Sequence, residues 1–125
     1  MVTSGTRDLI DGWIQVLKLT RPQVVVTAED VERGKPDPQC YLLGRSEIGI
    51  ADSEEGTEIL VVEDAPSGIR AGKAAGLKVL ALTTTHTQEQ VRESGADWIV
   101  KDLRSVAIKG KTEDGKVQIE IGNTL

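Results

Sequence analysis

Residues 59–76 constrain the fold more than any other stretch. Four aliphatic residues, Ile59, Leu60, Val61 and Val62, run straight into Glu63 and Asp64, and Ala65, Pro66 and Ser67 follow. A short apolar run of this kind reads as a strand buried on both faces. Pro66 suits the first turn of a helix, and Gly76 suits its C-terminal stop. The unit is strand, acidic tip, helix, with the tip at the carboxyl end of a parallel strand, where open α/β sheets place their ligands. Two adjacent acids there call for a cation or a proton. Mg²⁺ takes one or two carboxylates and keeps water or substrate phosphate in its other positions, so Glu63 and Asp64 are candidate ligands. Helix capping by Asp64 is the structural alternative. Gly68, Gly72, Ala75 and Gly76 give the helix a small face, which lets its backbone approach the sheet.

The rest of the chain alternates strands with helices. Val2 and Thr3 read as the end of a strand, and Ser4-Gly5-Thr6 as a turn into a helix. Leu9, Ile10, Trp13, Ile14 and Leu17 recur at helical spacing. A hydroxyl and free N–H groups at a helix start can hold an anion, or Ser4 or Thr6 can act as a plain N-cap. Because Met1 lies only a residue or two before that strand end, the start reads as a cut through a fold. Val24-Val25-Val26-Thr27 reads as a short buried strand, followed by a polar stretch. In Gly34-Lys35-Pro36-Asp37-Pro38 the prolines stiffen the backbone around Lys35. That lysine can pair with Asp64 or reach a phosphate as a point charge. Asp37 and Pro38 read as N-cap and N1 of a helix to about Ile48, and residues 50–57 as an exposed connection. Residues 78–82 read as a further buried strand, 83–87 as a polar tip, and 88–94 as a short helix stopped by Gly95. Residues 98–100 read as an outer strand, 103–108 as a short helical turn, and 117–121 as a half-exposed strand.

This order predicts an α/β domain with a mainly parallel sheet. Right-handed crossovers put the strand tips on one edge, so Ser4, Lys35, Glu63 and Asp64 are expected along one rim. A hydroxyl, a cation and a carboxylate pair meeting there suit phosphate and metal chemistry.

Composition narrows the function classes. A net charge of −5 over 125 residues argues against non-specific nucleic-acid binding. Cys40 is the single cysteine, so no intrachain disulfide forms and a reducing compartment fits. His86 is the single histidine, which disfavours a zinc site. No apolar run reaches membrane-spanning length, and the N-terminus lacks the pattern of a signal peptide. The default is a soluble cytoplasmic protein without a membrane or nucleic-acid partner.

Ser4 at a strand end, Lys35 in Gly-Lys-Pro-Asp-Pro, and the run from Val61 to Gly76 resemble the second, third and fourth motifs of haloacid-dehalogenase-like phosphatases. The likeness extends from Val2 to about Lys101. Within the family, the chain is most similar to fungal sugar- and polyol-phosphate phosphatases, such as glycerol-3-phosphatase and 2-deoxyglucose-6-phosphate phosphatase. The resemblance implies a Rossmann-like core and a small phosphorylated metabolite as substrate. It implies that Ser4 and the Gly5 N–H bind the transferred phosphoryl and that Lys35 stabilises it and orients the nucleophile. It further implies that Asp64 binds Mg²⁺ while Glu63 supports the metal shell.

The family's first strand carries an Asp-x-Asp motif, whose first Asp attacks phosphorus, and a helical cap follows it. This sequence contains no Asp-x-Asp and no cap, so the resemblance implies the C-terminal portion of a core domain across residues 1–125. In the family's sheet the absent strand lies between the one ending at Ser4 and the one ending at Asp64. Its neighbours must pair with each other, pair with another chain in self-association, or stay open. Inactivity of this chain alone is the leading expectation. The alternative is a non-catalytic module that binds phosphate and Mg²⁺. A receiver-like signalling domain fits less well, because its acidic pair belongs on a first strand.

Overall fold

The computed structural model describes residues 1–50, 59–113 and 115–125. The helices among the described residues are α1 (Arg7–Val16), α2 (Gln39–Glu47), α3 (Pro66–Ala74) and α4 (Gln88–Glu93). The strands among them are β1 (Leu60–Glu63), β2 (Lys78–Leu82), β3 (Trp98–Val100), β4 (Val106–Lys111) and β5 (Val117–Ile121). Strands β1, β2 and β3 form a parallel sheet in that order, and β4 and β5 form a separate antiparallel pair. The α/β class with a parallel sheet is thus the one the sequence predicts. The residues proposed as an exposed connection fall almost wholly outside the described ones.

The unit at residues 59–76 forms as its composition dictates. Pro66 occupies the first turn of α3, where its missing N–H costs no hydrogen bond. Gly76, at φ +75°, supplies the left-handed turn that ends the helix. Gly72 brings the α3 backbone onto the sheet: a Cβ placed there would lie 2.9 Å from Val79 Cγ2. Ile69 and Ala71 are fully buried with Val61, Val79 and Ala81 in the core.

Burial on both faces holds for β2 but not for β1. Val79, Leu80 and Ala81 are fully buried, whereas Val62 is 47% exposed. Register puts Val62 beside Leu80 on the face away from α3. β1 is the edge strand of this sheet, so among the described residues Val62 has a strand neighbour on one side only.

The predicted strand at residues 24–27 reduces to a single parallel bridge between Val2 and Val26. The Thr3 N–H donates to the Val26 carbonyl at 2.9 Å, and the Val26 N–H donates to the Met1 carbonyl at 2.9 Å. This bridge does not join the three-stranded sheet. An apolar groove of about 310 Å³ separates the two, lined by Val2, Val24, Tyr41, Leu60 and Val62 among others.

Two further corrections concern local structure. Residues 103–108 are not one helical turn: a 3-10 turn covers Leu103–Ser105, and β4 begins at Val106. Ile108 pairs with Ile119 and Val106 with Ile121, so cross-strand contacts decide the conformation. The apolar stripe of α1 does form a helix, but only Ile10 is buried; Trp13 and Leu17 face outward. Thr6 occupies the N-cap position without a side-chain cap bond. The Arg7 N–H instead donates to Glu29 at 3.1 Å.

Asp97 ties the bottom of the sheet together. It accepts from Lys73 Nζ at 2.7 Å, Lys78 Nζ at 3.2 Å and the Val79 N–H at 2.8 Å. Burial pushes its carboxyl up, but these three donors outweigh burial and hold it at about 2. A carboxyl held below its usual value stabilises the fold fully above its unfolded pKa and loses that contribution as pH falls through the folded value. Asp97 therefore adds an acid-labile component lost between about pH 4 and pH 2. Acid titration of the unfolding midpoint should show this loss in the wild type, and Asp97→Asn should remove it while lowering neutral-pH stability by about 1–2 kcal/mol.

Candidate active site

The carboxyl end of β1 meets the Ser4 turn and the Lys35 loop at an open cleft of about 340 Å³. Ser4, Lys35, Glu63, Asp64 and Ser67 all line it, with Thr3 and Ala65. Residues far apart in sequence, from Thr3 to Ser67, are brought to one rim because β1 and the Val2 segment both end there. Ser4 is exposed, and its hydroxyl has no protein partner among the described residues.

Glu63 organises the cleft. Its Oε1 accepts from Lys35 Nζ and from the Tyr41 hydroxyl, the latter at 2.5 Å. Its Oε2 accepts from the Asp64 N–H at 3.2 Å and from the Ala65 N–H at 3.4 Å. The Glu63 and Lys35 side chains are only 9% and 10% exposed. The Lys35 ammonium also stands 4.9 Å from the centre of the Tyr41 ring, within cation–π range. Burial raises the Tyr41 phenol far above its usual range, and the bond to Glu63 raises it further. Tyr41 is therefore a permanent donor to Glu63. The Lys35–Pro36 peptide bond is cis. Helix α2 starts at Gln39 with Pro38 at the N-cap, one position later than predicted, but Asp37 Oδ1 does accept from the Gln39 N–H at 2.9 Å, as a capping aspartate would.

Lys35 thus pairs with Glu63 rather than with Asp64. Neighbouring residues on a strand point to opposite faces, and Glu63 is the one turned toward the Lys35 loop. Asp64 does not cap α3, whose N-cap residue is Ala65 with no side-chain cap bond. Instead Asp64 Oδ2 accepts from the Thr85 hydroxyl at 2.7 Å. Gly5 is not part of the cleft wall: its N–H donates to Thr3 Oγ1 at 3.1 Å and its carbonyl accepts from Ala28. Sequence reasoning did not single out Tyr41 or Thr85. Tyr41 lies in the first turn of α2 and gave no signal, whereas Thr85 belongs to the hydroxyl-rich tip at residues 83–87.

Cys40 is buried, and burial raises its thiol above the usual range, which leaves it unreactive. No helix of the described residues is long and apolar enough to cross a membrane.

Comparison with known proteins shows the family. The chain is 43% identical over 111 residues to glycerol-1-phosphate phosphohydrolase 1 of Saccharomyces cerevisiae, which covers 86% of this chain and 44% of that protein. It is 34% identical over 131 aligned positions to 2-deoxyglucose-6-phosphate phosphatase 2 of the same yeast, covering 100% of this chain and 52% of that protein. Among solved structures, a hydrolase from Pseudomonas syringae superposes with a TM-score of 0.69 at 28% identity, covering 81% of this chain and 46% of that one. The chain spans about half the length of the curated relatives it matches. The family model described as haloacid dehalogenase-like hydrolase matches residues 1–82. With the strand–acid–helix unit, the Lys35 loop and the Ser4 turn all inside or at the edge of that match, the chain belongs to the haloacid dehalogenase-like hydrolase family.

Proposed function

We propose that this chain supplies the C-terminal portion of a core domain that hydrolyses small sugar or polyol phosphate monoesters, and that it does not turn over alone. The observation that carries the reading is the single cleft holding Ser4, Lys35, Glu63 and Asp64. Its relatives are named for glycerol phosphate and 2-deoxyglucose-6-phosphate, which supports this substrate class.

Each group has a part. The Ser4 hydroxyl donates to a phosphoryl oxygen. The Gly5 N–H joins it only if the bond to Thr3 is given up. Lys35, held by Glu63 and Tyr41, presents a fixed ammonium to the same phosphoryl. Asp64 has one oxygen committed to Thr85 and offers the other as a hard oxygen ligand. Among the described residues no group of three His, Cys, Asp or Glu side chains could hold a metal. The Asp64 carboxylate beside Glu63 in an open cleft suits Mg²⁺, which binds through one or two carboxylates and fills its shell with water and phosphate oxygen. Glu63 supports this shell indirectly, through the Asp64 N–H and Lys35. Bound Mg²⁺ neutralises charge on the phosphoryl group. Positioning and charge stabilisation are what phosphoryl transfer needs from a protein. The attacking carboxylate is what this sequence lacks: it contains no Asp-x-Asp. A strand bearing one would fit the apolar groove between Val2 and β1, and the open β1 edge there is also where self-association would occur.

The 125-residue chain with Mg²⁺ and para-nitrophenyl phosphate is expected to give no turnover above background. Turnover abolished by Asp64→Ala would overturn the inactivity. The intact cleft also favours retention of ligand binding without catalysis. Calorimetry should detect Mg²⁺-dependent binding of glycerol phosphate, weakened roughly tenfold or more by Lys35→Ala, the scale of a lost charged hydrogen bond. Equal binding by Lys35→Ala and wild type would refute the role of Lys35.

A further inference from the structure

We propose that Thr85 is a positioning residue that sets the orientation of the Asp64 carboxylate for Mg²⁺; the proposal rests on the assignment of Asp64 as the metal ligand. Thr85 lies in the loop between β2 and α4, and both ends of that loop are anchored. The Thr83 N–H donates to the Val100 carbonyl at 3.1 Å. At the other end Thr87 caps α4, with a reciprocal pair of bonds to Gln90. The loop therefore brings the Thr85 hydroxyl to a defined place beside the tip of β1.

That hydroxyl lies 2.7 Å from Asp64 Oδ2, 3.4 Å from the Asp64 carbonyl oxygen and 2.9 Å from His86 Nδ1. A threonine hydroxyl has one proton to give. The short bond to the carboxylate is the charge-assisted one, so the proton goes to Asp64 Oδ2. His86 Nδ1 then serves as donor to the remaining Thr85 lone pair, and that contact stops the hydroxyl from rotating away. The chain of bonds runs from His86 through Thr85 to Asp64.

The consequence falls on the other carboxylate oxygen. Oδ1 accepts no hydrogen bond among the described residues, and Asp64 lines the cleft with Ser4 and Lys35. The terminal torsion of an aspartate is broad and two-fold, so an unheld carboxylate turns easily. Mg²⁺ demands near-octahedral geometry and tolerates such turning poorly. Groups that hold a ligand from behind commonly change metal affinity by tenfold or more. Thr85 occupies that position for Asp64.

The test is Mg²⁺ titration of the 125-residue chain by calorimetry, with Thr85→Val, Thr85→Ser and Asp64→Ala alongside the wild type. Thr85→Val keeps the side-chain shape and removes the hydroxyl. Its Mg²⁺ dissociation constant should rise about tenfold. Thr85→Ser keeps the hydroxyl and should stay within about twofold of wild type. The Mg²⁺-free unfolding midpoints of Thr85→Val and wild type should coincide, because Thr85 is exposed. Mg²⁺ binding that Asp64→Ala abolishes but Thr85→Val leaves intact would overturn this proposal alone. Thr85→Ser as weak as Thr85→Val would also overturn it, since the hydroxyl would then not be the agent. Absence of Mg²⁺ binding in the wild type would overturn both this proposal and the assignment of Asp64.

Discussion

Replacing Glu63 by alanine should destabilise the fold by about 3–5 kcal/mol, the range seen when one partner of a buried ion pair is removed. The cause is what the substitution leaves behind. Lys35, whose side chain is 10% exposed in the wild type, is left with its ammonium unpaired, and the Tyr41 hydroxyl loses its acceptor. The N–H groups of Asp64 and Ala65 lose theirs as well. Burial and the Glu63 bond both hold Tyr41 in its neutral form, so the phenol cannot compensate by ionising. Glu63→Gln keeps the side-chain length and one acceptor oxygen, and should cost less. Urea unfolding of the two variants measures the difference. A loss below about 1 kcal/mol for Glu63→Ala would mean that the cluster is not structural, since even an exposed pair reaches that figure.

Gly68→Ala should also destabilise the fold, by a net amount of up to about 2 kcal/mol, for a steric reason. On helix propensity alone the change would add about 1 kcal/mol of stability, because alanine outranks glycine inside a helix. The added Cβ, however, would overlap the Glu63 carboxylate, displacing it from Lys35 and Tyr41. Gly68 is buried and set in the first turn of α3, so the backbone has little room to retreat. Overpacking of this kind costs about 1–3 kcal/mol, so the net result should be destabilisation. Loss of Mg²⁺-dependent phosphate binding should accompany it, since Lys35 would be released. An unchanged or raised unfolding midpoint would show that Glu63 relocates without penalty.

These two variants test one connection that the linear sequence conceals. Glu63 and Asp64 are adjacent, and both were read as candidates for the same cation. Their different parts come from groups far along the chain: Lys35 and Tyr41, 28 and 22 residues before Glu63, and Thr85, 21 residues after Asp64. The pairing of Lys35 illustrates the limit. A stiff loop beside an acidic tip could be read directly, but which acid turns toward it depends on strand orientation.

The helices show the same division. The stripe of α1 was legible as helical spacing, yet its apolar side chains other than Ile10 mostly face outward. Periodicity specifies a face and says nothing about what covers it. The stretch at residues 24–27 forms only the bridge of Val26 with Val2, because a strand has no stability apart from its ladder and apolar composition alone does not supply one. The opposite error occurred at β4, whose sequence carries little pattern until β5 pairs with it.

Local chemistry alone determined the strand–acid–helix unit, the stiff Lys35 loop, the serine turn and hence the family. Those features depend on neighbours within a few residues: a proline's fixed φ, a glycine's left-handed turn, an apolar run ending in acids. Tertiary structure decided that Glu63 anchors Lys35 while Asp64 faces Thr85, that Val62 lies open, and that a groove separates Val2 from β1. Such outcomes turn on distances between side chains that meet only after the sheet and its crossovers have formed, and no local pattern encodes those distances.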